Sequence, residues 1–256
     1  MKVAILAGGV GSRLMEETTA RPKPMVEIGG KPILWHIMKY YSTFNYDEFV
    51  IALGYRGDYI KRWFVEFANL TSDLSVRTGL GEVVSTSAVE DDWTVHLVDT
   101  GEGTGTAGRV KRLQTTIGDE RFLLTWGDGL ADLDIDELVS FHEGHGRLMT
   151  MTAVRPPARF GHLEIVDGAV TSFDEKPQIG EGWINGAFFV CEPEVFEYLP
   201  PDETMIERGP LAKLAADEQL MAYQHFGFWQ CMDTLRDRVL LEKLWLGEDA
   251  PWKRWG

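Results

Sequence analysis

The sequence predicts a protein of the α/β class, in which helices flank a mixed, mostly parallel β-sheet and β insertions enter the second half of the chain. Short apolar segments, typical of buried parallel strands, alternate with segments whose apolar residues recur at helical spacing. The length of 256 residues suits one continuous domain of this class. No repeat, low-complexity tract or charge run in the sequence marks a linker, so we expect a single domain over residues 1–256.

The first elements alternate between strand and helix. Residues 3–6 and 49–53 are apolar runs that lead into glycines, which predicts buried strands. Residues 31–41 carry apolar side chains three and four residues apart, with Pro32 suited to a first helical turn. A second helix with the same spacing begins at Asp58. This order predicts a parallel core.

The middle of the chain predicts a β-hairpin excursion, because residues 74–88 and 93–98 look like short strands with no long helix between them. The alternation of strands and helices then returns. The remaining predicted elements are a helix over residues 109–117, a strand over 122–126, a helix beginning at Asp134, several short strands beyond Leu148 with turns at Pro156, Pro157, Gly161 and Gly168, and helices around 210–216 and 234–245.

The charge balance and composition exclude several classes of partner. The chain has 25 Lys and Arg against 40 Asp and Glu, a formal net charge of -15. Nucleic acids and anionic membranes bind through Lys and Arg, so neither is an expected partner. No run approaches the roughly 20 apolar residues of a transmembrane helix. Two cysteines are too few for a disulfide framework, and we expect a cytoplasmic protein with reduced thiols.

A glycine-rich turn follows the first predicted strand. It lacks the third glycine of a Rossmann fingerprint and the Gly-Lys-Ser/Thr of a Walker loop, so neither of these phosphate loops fits. Its glycines would let the backbone approach a phosphate and offer N–H groups to it. A solvated surface turn is the alternative. The turn comprises Leu6, Ala7, Gly8, Gly9, Val10, Gly11, Ser12 and Arg13.

The local charge favours a phosphate loop. Residues 1–31 hold five cations against three carboxylates, in a chain whose net charge is -15. One of these cations is Arg13, and another is Lys23, whose backbone is fixed by Pro22 and Pro24. A polyphosphate would be drawn to this end of the chain, where Arg13 offers a planar fork and Lys23 a point charge. A nucleoside triphosphate is the predicted occupant.

The glycine-rich turn, followed by Lys23-Pro24, resembles the signature of sugar-phosphate nucleotidyltransferases. The resemblance covers essentially the whole chain and narrows to the glucose-1-phosphate cytidylyltransferases, through further blocks at residues 21–36, 228–230, 232–237 and 250–253. It implies a Rossmann-like nucleotidyltransferase fold, with nucleotide binding mainly in residues 1–130 and sugar binding mainly in residues 131–256. It also implies Mg²⁺-dependent transfer from CTP to α-D-glucose 1-phosphate, which gives CDP-glucose for dideoxysugar synthesis and releases pyrophosphate.

The resemblance implies catalytic roles for Arg13, Lys23 and Asp128. Arg13 would hold the β- and γ-phosphates as pyrophosphate leaves, and Lys23 would lie against the α-phosphate. Asp128, between glycines at the end of an apolar strand, and Asp233 would bind Mg²⁺. Taken alone, Asp128 is as readily a turn residue and Asp233 as readily begins a helix.

The nucleobase would be met by a different loop. By the resemblance, Arg109 would donate to the O2 and N3 acceptors of cytosine, whereas uracil carries a hydrogen at N3. A solvated cation at a helix start is the alternative for Arg109. The nucleotide-binding residues that the resemblance implies are Leu6, Ala7, Gly8, Gly9, Gly11, Ser12, Arg13, Lys23, Thr106, Gly108, Arg109, Gly127 and Asp128.

For the sugar phosphate, the resemblance implies binding by Glu175, Lys176, Asn185 and Gly186. Lys176 would meet the phosphate and Glu175 the sugar hydroxyls. The resemblance further implies a homo-oligomer, with a hexamer as the candidate assembly.

Two residues depart from the family pattern. Ala107 stands where a second glycine is usual, and Gly209 stands where an acidic residue is usual. Two alternative functions stay open: a uridylyl- or thymidylyltransferase for a hexose 1-phosphate, and a catalytically weak protein that binds nucleotide sugars.

Overall fold

The computed structural model describes residues 1–11, 14–85, 91–156, 162–166, 169–174 and 182–255. Its strands are β1 (Val3–Leu6), β2 (Glu27–Ile28), β3 (Lys31–Pro32), β4 (Glu48–Leu53), β5 (Leu74–Arg77), β6 (Glu82–Ser85), β7 (Thr94–Asp99), β8 (Phe122–Trp126), β9 (Gly129–Ala131), β10 (Met149–Val154), β11 (His162–Val166), β12 (Ala169–Asp174), β13 (Ile184–Cys191), β14 (Leu220–His225) and β15 (Trp229–Cys231). Its α-helices are α1 (Met15–Thr18), α2 (Ile33–Ser42), α3 (Gly57–Thr71), α4 (Thr106–Arg112), α5 (Gln114–Ile117), α6 (Ile135–His145), α7 (Pro210–Ala216) and α8 (Leu235–Leu246). Among these, none is long and apolar enough to cross a membrane.

Seven strands form the central sheet, in the order β14-β10-β13-β8-β1-β4-β7. β1 is parallel to both β4 and β8, and β4 is parallel to β7. β13 runs antiparallel to β8 and β10, so the sheet is mixed but mostly parallel, and the predicted fold class is confirmed. The carboxyl-terminal ends of β1, β4, β7 and β8 meet at one edge, which is where open α/β sheets bind ligands.

Two apolar cores lie on opposite faces of the sheet. Val3 and Ile5 of β1 pack into a core that includes α2 and Leu241 of α8. Ala4 and Leu6, whose side chains point the other way, pack into a core that includes α4. All four residues of β1 are buried, as expected of a strand at the centre of a parallel sheet. This three-layer packing places the βα loops at the ligand-binding edge.

Two predictions about the middle of the chain are wrong. β7 is not part of a hairpin excursion, because it pairs in parallel with β4 in the central sheet, and only β5 and β6 pair as a hairpin. The helix predicted over residues 109–117 begins earlier, at Thr106, and is divided into α4 and α5. Arg109 therefore lies inside a helix. The predicted turns at Pro157, Gly161 and Gly168 lie outside the described residues.

The C-terminal segment, residues 250–255, packs around a buried histidine of α2. The Trp252 side chain is fully buried and stacks on Phe228, with ring centroids 5.7 Å apart. The Nε2 of His36 lies 2.8 Å from the carbonyl oxygen of Ile28, and its Nδ1 accepts the indole N–H of Trp252 at 3.4 Å. These two partners assign the proton of a neutral imidazole to Nε2. Burial lowers the pKa of His36 to about 4.

The depressed pKa of His36 predicts loss of stability in mild acid. In the unfolded chain this imidazole takes up a proton near its ordinary pKa of 6.5, whereas in the folded chain it does so only near 4. The free energy of unfolding should therefore fall as the pH drops from 6.5 towards 4, by about 3 kcal/mol from this group. Denaturant unfolding across this pH range measures the fall.

The matched variant for this experiment is His36→Gln, which cannot titrate. The stability difference between the wild type and this variant should shrink as the pH drops. Parallel pH profiles for the two proteins would contradict the role of His36.

Candidate active site

A cavity of about 600 Å³ opens at the carboxyl-terminal ends of β1, β7 and β8. Its volume is typical of sites for small-molecule ligands. The lining comprises residues 6–11, 23–24, 102–106, 109 and 126–128, together with Glu203, Met205 and Asp233. Most of the predicted nucleotide-binding residues are therefore brought together. Ser12 and Arg13 lie outside the described residues.

The glycines of the loop after β1 have different packing constraints. A side chain at Gly8 would place its Cβ 2.2 Å from Nη1 of Arg109, whereas a Cβ at Gly9 would meet nothing within 4 Å. Gly11 has a φ of +65°, and its Cβ would lie 2.9 Å from Cγ2 of Thr18. Gly8 and Gly11 are thus required by close packing and by backbone conformation. Gly9 leaves the backbone accessible from the cavity.

The Arg109 side chain connects three of the loops at this edge. Only 4% of the residue is exposed, so its interpretation as a solvated cation is wrong. Its guanidinium donates hydrogen bonds of 2.7–3.1 Å to Gly8 O, Leu53 O, Thr100 Oγ1, Gly101 O and Glu102 O. These acceptors follow or end β1, β4 and β7. Burial and the nearby charge of Arg112 lower the pKa of Arg109 below its ordinary range.

Lys23 projects from a 3-10 turn (Lys23–Met25) into the floor of the cavity. Its Nζ lies 2.5 Å from Oδ2 of Asp128 and 2.5 Å from Oδ1 of Asp233. Burial alone would lower the pKa of Lys23, but the charges and hydrogen bonds of the two carboxylates outweigh it and raise the pKa above 10.5. The ammonium is therefore charged and bridges two carboxylates that lie 105 residues apart in sequence.

A small antiparallel strand pair brings the two carboxylates together. Asp128 directly precedes β9 and Asp233 follows shortly after β15, and these strands pair with Cys231 opposite Gly129. The backbone N–H of Met232 also donates to Asp128 O at 2.8 Å. Burial raises the pKa of the nearby Cys231 thiol to about 12, so this thiol is not a thiolate nucleophile at neutral pH.

The two carboxylates fit a magnesium site that is completed by ligand and water oxygens. Because each oxygen is 2.5 Å from the same nitrogen, the two are close enough to share one small cation. Mg²⁺ usually takes only one or two protein carboxylates and fills its remaining positions with phosphate and water. Within the described ranges, no group of three His, Cys, Asp or Glu side chains forms a metal cluster. Asp128 and Asp233 are thus the candidate ligands.

The two predicted sugar-binding residues that the structure describes, Asn185 and Gly186, are not part of the cavity lining. Asn185 Oδ1 accepts the backbone N–H of Ala187 at 2.8 Å, and Gly186 O accepts the indole N–H of Trp229 at 2.8 Å. Both residues lie on β13. A Cβ at Gly186 would lie 2.7 Å from Val154, so this position packs closely against β10. Glu175 and Lys176 lie outside the described residues.

Part of the cavity wall was not predicted from sequence. Glu203 and Met205 line the cavity because their segment packs on the start of α4. The N–H groups of Gly105 and Ala107 donate to carbonyls of Asp202 and Thr204 at 3.3 and 3.1 Å. Gly108, a predicted nucleotide-binding residue, is not part of this cavity lining, but its Cβ would lie 2.1 Å from Asp202 O. Gly209 has open space beside it. No sequence signal would have identified the 202–205 segment.

A cavity lined by a glycine loop and an ion-paired lysine, at the carboxyl edge of parallel strands, defines a nucleotide-binding protein of the α/β class. Comparison with known proteins narrows this class. The sequence profile of the "Nucleotidyl transferase" family matches residues 2–234, and the chain belongs to this family. The resemblance drawn from the glycine loop and Lys23-Pro24 is confirmed.

The chain aligns with two proteins named as cytidylyltransferases over their full length. The chain is 50% identical to a protein named glucose-1-phosphate cytidylyltransferase in Salmonella typhi, and 43% identical to one named probable glucose-1-phosphate cytidylyltransferase in Bacillus subtilis (strain 168). Each alignment spans 256 residues, which is all of both chains. Among solved structures, HddC from Yersinia pseudotuberculosis has a TM-score of 0.68 at 24% identity, over 95% of this chain and 99% of that one. This last match confirms the fold.

Proposed function

We propose that the protein transfers a cytidylyl group from CTP to α-D-glucose 1-phosphate, forming CDP-glucose and releasing pyrophosphate. The observation that carries this proposal is the Lys23 ammonium between Asp128 and Asp233, in the floor of a cavity roofed by the glycine loop. The identity of 50% to the Salmonella typhi protein over the whole chain supports the choice of substrates.

The reaction needs positioning and charge neutralisation more than acid–base catalysis. An oxygen of the sugar phosphate, already ionised at neutral pH, attacks the α-phosphorus in line with the departing pyrophosphate. Lys23 lines the cavity with its ammonium between two carboxylates, and we assign it to the α-phosphate. We assign Arg13 to the β- and γ-phosphates, and the backbone of Gly8, Gly9 and Gly11 to the same triphosphate, because these glycines line the cavity.

Asp128 and Asp233 would hold Mg²⁺, which supplies positive charge against the phosphate oxygens when it is bound. In the structure the same carboxylates hold the Lys23 ammonium. Lys23 must therefore leave this bridge to reach a phosphate. Within the bridge, the charges and hydrogen bonds of the two carboxylates raise the pKa of Lys23 against the effect of burial, so Lys23 is a cation there.

The base and the sugar would occupy opposite sides of the site. Thr106 and Arg109 line the cavity beside residues 102–105, and we assign this side to cytosine. Nη1 and Nη2 of Arg109 are hydrogen-bonded to loop acceptors, so either nitrogen would exchange one of these bonds to meet the base. We assign Glu175, Lys176, Asn185 and Gly186 to the sugar phosphate.

We place the protein in the cytoplasm, where Cys191 and Cys231, both unpaired in the structure, stay reduced. A homo-oligomer, with a hexamer as the candidate, stays a prediction that mass-resolved light scattering measures.

The test is an activity matrix of four nucleoside triphosphates against glucose 1-phosphate and other hexose 1-phosphates, with and without Mg²⁺. We expect CDP-glucose from CTP and glucose 1-phosphate in the presence of Mg²⁺, and little product from UTP. Equal use of UTP would overturn the assignment of cytosine to the Arg109 side. Tight CTP binding without any product would favour a binding protein instead.

A further inference from the structure

The Asp237 carboxylate is hydrogen-bonded to the backbone of Asp233. Its Oδ2 accepts the backbone N–H of Asp233 at 3.1 Å and that of Thr234 at 2.8 Å, and also the Thr234 hydroxyl at 2.8 Å. Its Oδ1 accepts Nε2 of Gln230 at 3.2 Å. The Gln230 residue is 7% exposed and donates to Cys231 O at 2.8 Å as well. The carboxylate therefore connects α8, the Asp233 main chain and β15.

These contacts exceed the needs of a helix cap. A capping box is complete when the Thr234 hydroxyl accepts the N–H of Asp237 and the Asp237 carboxylate accepts the N–H of Thr234. Asp233 precedes the cap residue, so the bond to its N–H adds nothing to the helix itself. By contrast, Asp134 caps α6 through a single contact with the N–H of Glu137. The additional bonds of Asp237 fix the residue whose side chain reaches the cavity.

We propose that Asp237 is the positioning residue for Asp233. By holding the Asp233 main chain against β15, it sets the direction in which the Asp233 carboxylate meets the Asp128 carboxylate. The pairing of β15 with β9 fixes Asp128 relative to the same strand. The positions of both carboxylates therefore depend on this two-stranded sheet. This inference rests on the proposed function, in which Asp128 and Asp233 share a metal with CTP.

The test compares metal-dependent and metal-independent binding of CTP. Affinity for the Mn²⁺–CTP complex is measured by water-proton relaxation enhancement, and affinity for CTP in EDTA by calorimetry. We expect Asp237→Ala to weaken Mn²⁺–CTP binding by about tenfold or more, as loss of an outer hydrogen-bond partner does at other metal sites. Binding of metal-free CTP should stay unchanged, because Asp237 does not line the cavity.

Two further variants separate positioning from folding. Asp134→Ala removes the carboxylate cap of α6 and should leave both affinities unchanged. Asp237→Asn keeps one acceptor oxygen and should give an intermediate loss, and it replaces Asp237→Ala in the test if the alanine variant fails to fold. Equal weakening of both kinds of CTP binding, or no weakening at all, would overturn the positioning role. If wild-type protein gains no affinity from Mn²⁺, the proposed metal site itself fails.

Discussion

Replacement of Lys23 with methionine is expected to lower kcat for CDP-glucose formation by about 100-fold or more. Methionine retains most of the apolar stem but removes the ammonium that neutralises the reacting phosphates. In the wild type this charge lies 2.5 Å from both Asp128 and Asp233. Pyrophosphate release at saturating CTP, glucose 1-phosphate and Mg²⁺ measures the loss.

For the same Lys23→Met variant we also predict a change in metal affinity, which can be measured without turnover. Without the ammonium, the Asp128 and Asp233 carboxylates lose a shared counter-charge, so nucleotide-free protein should bind Mn²⁺ more tightly than the wild type. The matched control is Lys39→Met, which removes the ammonium of another partly buried ion pair. In that pair, Nζ of Lys39 lies 2.5 Å from Oδ1 of Asp91, and neither residue lines the cavity. Near-normal kcat in the Lys23 variant, or unchanged Mn²⁺ affinity, would reject the assigned role.

Truncation of Trp252 to alanine is expected to destabilise the fold by about 3–5 kcal/mol, as other large-to-small changes of buried aromatic residues do. The residue is 0% exposed, and its ring lies against Phe228, Trp245 and His36. Because these neighbours belong to different elements, they cannot collapse together to fill the void. Guanidinium unfolding at neutral pH measures the change.

A surface aromatic residue provides the comparison for Trp252→Ala. Phe226 is 65% exposed, so Phe226→Ala should change the free energy of unfolding by only about 0.5 kcal/mol. Similar losses for the two variants would show that the C-terminal segment does not contribute to the core.

The buried elements could be predicted from sequence because their apolar patterns are local. β1 and β8 match their predicted bounds, and Asp134 caps α6 as expected. The sequence predicts a hairpin here because residues 74–88 and 93–98 look like short strands with no long helix between them. In the structure, the residues of β7 are partly buried or exposed. Because β7 lies at the edge of the sheet, its sequence lacks the continuous apolar run of a central parallel strand and resembles a strand of an exposed hairpin. Its pairing with β4 depends on tertiary structure, which no local pattern of the sequence shows.

The start of α4 was missed for a different physical reason. Gly105 and Gly108 are poor helix formers, so local propensity places the helix start too late. Contacts with the 202–204 backbone decide the true start at Thr106. The same dependence on distant segments hides the burial of Arg109, because its acceptors come from three separate loops.

The candidate site was predicted mainly by family resemblance. Asp128 and Asp233 lie 105 residues apart, and no local pattern joins them. The structure brings both to Lys23, but their roles, like those of Arg13 and Lys176, stay predictions. So does the division into nucleotide-binding and sugar-binding parts near residue 130.

The pairing of β9 with β15 has a consequence during protein synthesis. A ribosome that has translated the glycine loop, Lys23 and Asp128 has still not produced Asp233 or the helix that follows it. The growing polypeptide thus contains Lys23 and Asp128 without the second carboxylate until Asp233 has been translated. Premature termination shortly before Asp233 would release a product with all seven strands of the central sheet but only one of the two carboxylates that bind Lys23.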